Sequence, residues 1–204
     1  MCGIAGLIHK NKTVNIGKEL EDMLQALKHR GPDSTGFALY GEGENNSYIM
    51  RFKVGENVKE GSSASNEGDE VYDARKAQVD KYLGELGAEV VSEDQITPYS
   101  FKYIINYNKD LMEFSKKIES VEMTEILSIG KSLELVKDIG DAGVVSKQYG
   151  LDKIRGTHAI GHTRMATESG VDIKSAHPFW GYPFSDVSVV HNGQLTNYWN
   201  NRRA

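Results

Sequence analysis

The chain has 204 residues, 39% of them apolar and 26% charged, with a formal net charge of −5. This composition suits one globular domain with a sizeable core, and the acidic balance gives no electrostatic reason to expect nucleic acid or an anionic membrane as partner. No apolar run approaches the ~18 residues of a membrane span, the opening residues lack the basic start of a secretory signal, and a lone cysteine, Cys2, excludes an internal disulfide.

Residues 2–8, CGIAGLI, are a short apolar run closed by polar His9, Lys10, Asn11 and Lys12, which reads as a buried strand opening on Cys2. Leu20, Met23, Leu24 and Leu27 then recur at helical spacing, and Lys18, Glu19, Glu21 and Asp22 turn toward water. Gly31 and Pro32 stop this helix near Arg30. TGFALYG (35–41) and SYIMRFKV (47–54) read as strands around the turn-forming GEGENN. Residues 55–75 are rich in Gly, Ser, Asn and charge, and GSSASNEGDE is predicted to be a mobile loop.

From there to residue 150 the pattern predicts a helix over 73–86, a strand at YSFKYIINY (99–107), a helix near 109–119, a strand at MTEILSIG (123–130) and a helix near 132–139. Its Lys and Glu residues at helical spacing read as solvated faces, and no function is legible there. The last fifty residues return to β character. THAIGHTRMA (157–166) and VSVVHNGQL (187–195) are strand candidates, separated by the polar TESGVDIKS and the run AHPFWGYPF.

Cys2 stands where removal of the initiator methionine exposes a thiol and a free α-amine on one residue. In peptides α-amines titrate near ~8 and thiols near ~8.5, so the amine can take the thiol proton at neutral pH. The other motifs each have a plain reading: HRGPDSTG (29–36) as a helix stop and turn, GHTRMATESG (161–170) as a strand, AHPF (176–179) as a loop, HNG (191–193) as a hairpin turn. His158 and His162 are four apart, a metal-ligand spacing on a helix, but the segment reads as a strand and no glutamate or cysteine follows at ligand spacing, so no metal is expected.

Taken together and in order, MCGIAG, HRGPDSTG, GHTRMATESG, AHPF and VVHNGQLTNY resemble the class II glutamine amidotransferase domain, a glutaminase with an N-terminal nucleophile. The resemblance covers the two ends of the chain and leaves the middle unmatched. It implies an α+β fold, a four-layer αββα sandwich whose nucleophile opens a strand between two stacked sheets. The domain would span 1–204, with an α/β insertion at about 55–150. Cys2 is similar to the family nucleophile, and Asn192 (side-chain NH2) and Gly193 (backbone N–H) match its oxyanion hole. Arg164 matches the clamp on the α-carboxylate of glutamine, and Thr167 a threonine near the same group. Arg30 and Gly31 match a segment lining the nucleophile's pocket, and His177 a structural histidine near the glutamine loop.

The implied reaction is hydrolysis of L-glutamine through a cysteinyl thioester, with no cofactor and in the cytoplasm, where a thiolate survives. The methionine in GHTRMATES, the inserted middle and the lack of a fused synthase look most like the free-standing glutaminase subunits of glutamate-synthase-like complexes, methylglutamate-synthase types included. In those a separate flavoprotein synthase receives the ammonia. In the family an acidic residue beyond the helix after HNG holds the glutamine amine; this sequence stops at Ala204, inside that helix, so an incomplete C-terminus is expected. The alternative is a catalytically degenerate glutamine-site fold serving as a binding or assembly subunit.

Overall fold

Alternating apolar residues in this chain become strands and 3.6-spaced ones become helices in a computed structural model, which describes residues 2–10, 12–43, 46–56, 68–165 and 176–193. One antiparallel sheet runs β1 (Gly3–Ile8), β8 (Gly156–Arg164), β2 (Ser34–Gly41), β7 (Leu133–Ile139), with β1 at its edge among the described residues. The second runs β4 (Glu89–Thr97), β5 (Ser100–Asn106), β3 (Tyr48–Lys53), β6 (Glu125–Gly130). A two-stranded ribbon, β9 (Phe179–Trp180) with β10 (Ser188–Val189), lies near the C-terminal end.

Helix α1 (Ile16–Ala26) starts where the Asn15 side chain accepts from Lys18 N at 3.1 Å, satisfying one of the amides that a helix start leaves open. Its buried line is Ile16, Leu20 and Leu24, whereas Met23 is 39% exposed. The expected apolar stripe is therefore corrected: burial follows i, i+4, i+8, and Met23 lies off that line. With α4 (Ala142–Tyr149), capped by Asp141, α1 packs Leu20, Leu24, Val145 and Tyr149 on Phe37, Leu39, Val136 and Ala159 of the first sheet. On the far side α2 (Asp69–Leu86) and α3 (Leu111–Ile118) pack Tyr72, Val79, Leu83, Phe114 and Ile118 on Met50, Phe52, Phe101 and Tyr103 of the second sheet. Ala38, Leu127, Leu133 and Leu135 form a small apolar cluster joining the two sheets. The result is the expected four-layer αββα sandwich, with the apolar stripe of each helix buried against a sheet face.

Residues 132–139 form β7, not the helix expected there. Leu133, Leu135 and Val136 satisfy helical and period-two spacing alike, and pairing along β2 from Ser34↔Ile139 to Tyr40↔Leu133 decides between them. β4 and α4 were not anticipated. β4 is an edge strand whose first seven residues are exposed, so it carries no apolar alternation. Most of the expected mobile loop, residues 57–67, lies outside the described residues.

Ion pairs also bridge the sheets. Arg51 on β3 meets Glu134 on β7 at 2.5 Å, and Lys102 on β5 reaches the same carboxylate at 3.0 Å. Lys137 on β7 meets Glu125 on β6 at 2.8 Å. Burial pushes the Glu134 carboxyl up, but Arg51 and Lys102 outweigh it and hold the group below the usual carboxylate range.

Candidate active site around Cys2

Strand alternation settles which side chains meet. Ala5, Phe37, Leu39 and Ala159 point at α1 and α4, as does Gly161, where a Cβ would press on Leu24. Residues of opposite parity therefore face the second sheet: Ile4 on β1 with Cys2 just before it, Ser34 and Gly36 on β2, His162 and Arg164 on β8. The register pairs Ile4 with His162, Ser34 with Arg164 and Gly36 with His162, and one step beyond the Gly3–Thr163 pair Cys2 comes alongside Arg164. The Cys2 thiol points at the Met165 carbonyl, 4.0 Å away. Cys2 and Arg164, separated by most of the chain, thus share one corner with Ser34.

The remaining motifs converge there. Arg30 Nε donates to the Cys2 carbonyl at 3.2 Å, and Asn192 Nδ2 donates to the same oxygen at 3.0 Å. Gly31 backs onto the Arg164 main chain, where a Cβ would stand 2.5 Å from the carbonyl carbon. Asp33 N donates to Arg164 O at 3.1 Å, so HRGPD and HTR are fastened together by main chain. The His177 carbonyl crosses directly over Gly36, in space that any side chain there would fill. Gly193 has φ of 146°, a conformation that L side chains rarely adopt. Thr167 lies outside the described residues.

Sequence reasoning did not single out the histidine cluster in this corner. The His162 and His177 rings are 5.0 Å apart, and His177 lies 6.4 Å from His191 and 4.4 Å from Phe179. Burial lowers the His162 and His177 pKa values to about 4, helped for His162 by His177, Arg164 and His191 and for His177 by Lys137, His191 and Arg164. Both rings are neutral at pH 7. Among the described residues, neither ring nitrogen of His162 nor the Ser34 hydroxyl has a hydrogen-bond partner. The only signal in the sequence was that GHTRMATESG, AHPF and VVHNGQLTNY each carry a histidine, and spacing alone does not bring them together. Among the described residues no group of three or more His, Cys, Asp or Glu is arranged to hold a metal. His158, the other half of the i, i+4 pair, stacks on Tyr40 at 4.1 Å instead.

The corner can hold an anion and present a nucleophile to it. Arg30 and Arg164 are its cations, His162 and His177 are neutral, and the half-buried thiol lies beside a side-chain amide donor. The chain is similar to several known proteins. A protein of Methanothermobacter thermautotrophicus named glutamine amidotransferase is 38% identical over 204 residues, covering 98% of this chain and 63% of the relative. The glutamine amidotransferase-like protein GlxB of Rhizobium meliloti is 32% identical over 209 residues, covering 100% of this chain and 62% of the relative. A shorter match, 32% over 94 residues, is to the glutamine–fructose-6-phosphate aminotransferase of Methanococcus maripaludis, covering 45% of this chain and 15% of that protein. These likenesses support a class II glutamine amidotransferase domain in this chain. No family profile matches it. This amidotransferase domain spans a little under two thirds of the length of its first two relatives.

Proposed function

We propose that this domain hydrolyses the side-chain amide of L-glutamine and that Cys2, once Met1 is removed, is its nucleophile. The α-amine takes the thiol proton, and sulfur attacks the amide carbon. The C–N bond then breaks, ammonia leaves with that proton, and a glutamyl thioester remains. Water, deprotonated by the same amine, attacks the thioester, releasing glutamate and restoring the thiol. Each step passes through a tetrahedral oxyanion, for which Asn192 Nδ2 and Gly193 N–H are the donors. Arg164 holds the α-carboxylate through its paired guanidinium donors, with Thr167 beside it, and Arg30 braces the Cys2 main chain.

The observation that carries this reading is the 3.0 Å hydrogen bond from Asn192 Nδ2 to Cys2 O, which ties the late HNG motif to the proposed nucleophile beside a buried arginine. The names of the relatives support the same substrate. The ammonia passes to a partner synthase, a flavoprotein in the glutamate-synthase-like arrangement, within a reducing cytoplasm. The test is release of glutamate and ammonia from glutamine by the purified chain with and without that partner. Turnover that disappears in Cys2→Ala supports the reading, and equal turnover in parent and Cys2→Ala rejects it.

A further inference from the structure

The segment from His177 to Gly193 leaves the site along β9, turns, and comes back along β10 to deliver Asn192 to Cys2. Little apolar burial holds its turn and returning strand: Phe184 is 66% exposed, Val187 42% and, on β10, Val189 54%. The β9–β10 ladder is two residue pairs long. Polar tethers must therefore fix the position of Asn192. Tyr40 OH and Ser188 Oγ are 2.8 Å apart, and Tyr182 OH donates to Met112 O at 3.2 Å. The densest tether is Asp186. Its Oδ1 accepts from Ser132 N at 2.8 Å, Leu133 N at 2.9 Å and Ser132 Oγ at 3.0 Å, and its Oδ2 accepts from Lys131 N at 3.0 Å. Hydrogen bonds to a carboxylate are roughly twice as strong as neutral ones, and the turn's φ of 58° at Asp186 is one that Asp and Asn tolerate.

The receiving turn, residues 131–132, joins β6 of one sheet to β7 of the other, and Ser132 O accepts from Gly41 N at 2.9 Å at the end of β2. Asp186 thus latches the Asn192-bearing segment to the corner where the two sheets meet, a corner built by the middle of the chain. We propose that Asp186 is a positioning residue for the oxyanion donor Asn192, held by the 131–133 turn, so that the middle region sets the geometry of the active site without touching substrate. This rests on the reading of Asn192 as an oxyanion donor.

The test is glutamine kinetics and hydrogen exchange over residues 188–193 in Asp186→Ala, Asp186→Asn and Gly130→Ala. Gly130→Ala attacks the latch from its other side, because a Cβ there would stand 2.6 Å from Asp186 Oδ1. Asp186→Ala and Gly130→Ala should each lower kcat about ten- to a hundredfold with KM little changed. Asp186→Asn keeps the three Oδ1 bonds and should restore most of the loss. In an Asn192→Ala background, Asp186→Ala should have no further effect on kcat, a non-additivity that general destabilisation would not produce. Parental kcat in both Asp186→Ala and Gly130→Ala, or full additivity with Asn192→Ala, overturns the proposal. Should Asp186→Ala not fold, Gly130→Ala alone decides by the same criteria. Should the parent itself not hydrolyse glutamine, the glutaminase reading fails, and exchange decides the positioning: faster exchange over 188–193 in the latch variants supports it, parental exchange overturns it.

Discussion

The side-chain amide of Asn192 donates to the main-chain carbonyl of Cys2 at 3.0 Å, linking residues 190 positions apart. Arg30 shares that acceptor at 3.2 Å, so the Cys2 peptide is fixed by two donors from different motifs. Held by its own main chain, Cys2 leaves its thiol turned to the face where Arg164 stands. Pre-organisation of this kind removes orientational freedom before substrate arrives.

Removing the amide donor should therefore slow chemistry more than binding. Asn192→Ala is expected to lower kcat by about two to three orders of magnitude while KM for glutamine changes little, as measured by steady-state glutamate release. A variant with raised KM and parental kcat would make Asn192 a binding residue instead.

Arg164→Lys should do the opposite. The charge stays but the fork is lost, so KM for glutamine is expected to rise on the order of ten- to a hundredfold, with alkylation of Cys2 by iodoacetamide, which needs no carboxylate, near the parental rate. Equal losses in both assays would show that the substitution disturbs the site as a whole, since Arg164 is nearly buried.

Much of this site was legible from the chain because its motifs are local: Cys2 opens a strand, Gly31 closes a helix, and Gly193 needs a positive φ. The convergence of His162, His177 and His191 was not legible, because it depends on the His177 main chain crossing Gly36, a contact between β2 and a segment with no periodicity. The same holds for β7, where Leu133, Leu135 and Val136 suit a helix as well as a strand until β2 lies beside them. Met23 shows the limit of spacing arguments in a helix correctly placed: apolar and suitably spaced, it is nonetheless exposed.

Stability should fall in mild acid. The His162 and His177 pKa values are lowered to about 4 by burial and by Arg164, Lys137 and His191 around them, whereas histidine in an unfolded chain titrates near ~6.5. Between about pH 6.5 and 4 the unfolded chain binds protons that the folded chain does not, so stability declines as pH is lowered through that window, and the contribution of these groups levels off below it. The loss is on the order of 3 kcal/mol for buried His162 and smaller for the more exposed His177. Urea unfolding at successive pH values should show this slope, flattened in His162→Asn; identical slopes in parent and variant would remove the assignment.

The charges between the sheets make a separate prediction. Glu134→Ala leaves Arg51, 3% exposed, without its carboxylate, and should destabilise the domain by about 3–5 kcal/mol in urea titration. Replacing both partners, Arg51→Met with Glu134→Leu, should lie much closer to the parent, because the buried guanidinium goes with its carboxylate and the Lys102 ammonium left behind is partly exposed to water. A double variant less stable than Glu134→Ala would contradict this.

The most direct measurement on the central claim is intact-mass analysis of the chain before and after treatment with diazo-oxo-norleucine, a glutamine-shaped electrophile. Loss of Met1, a single added label located on Cys2 by peptide mapping, protection by excess glutamine, and no label in Cys2→Ala are the expected results. Label that persists in Cys2→Ala, or a chain that retains Met1 yet hydrolyses glutamine, would contradict that claim.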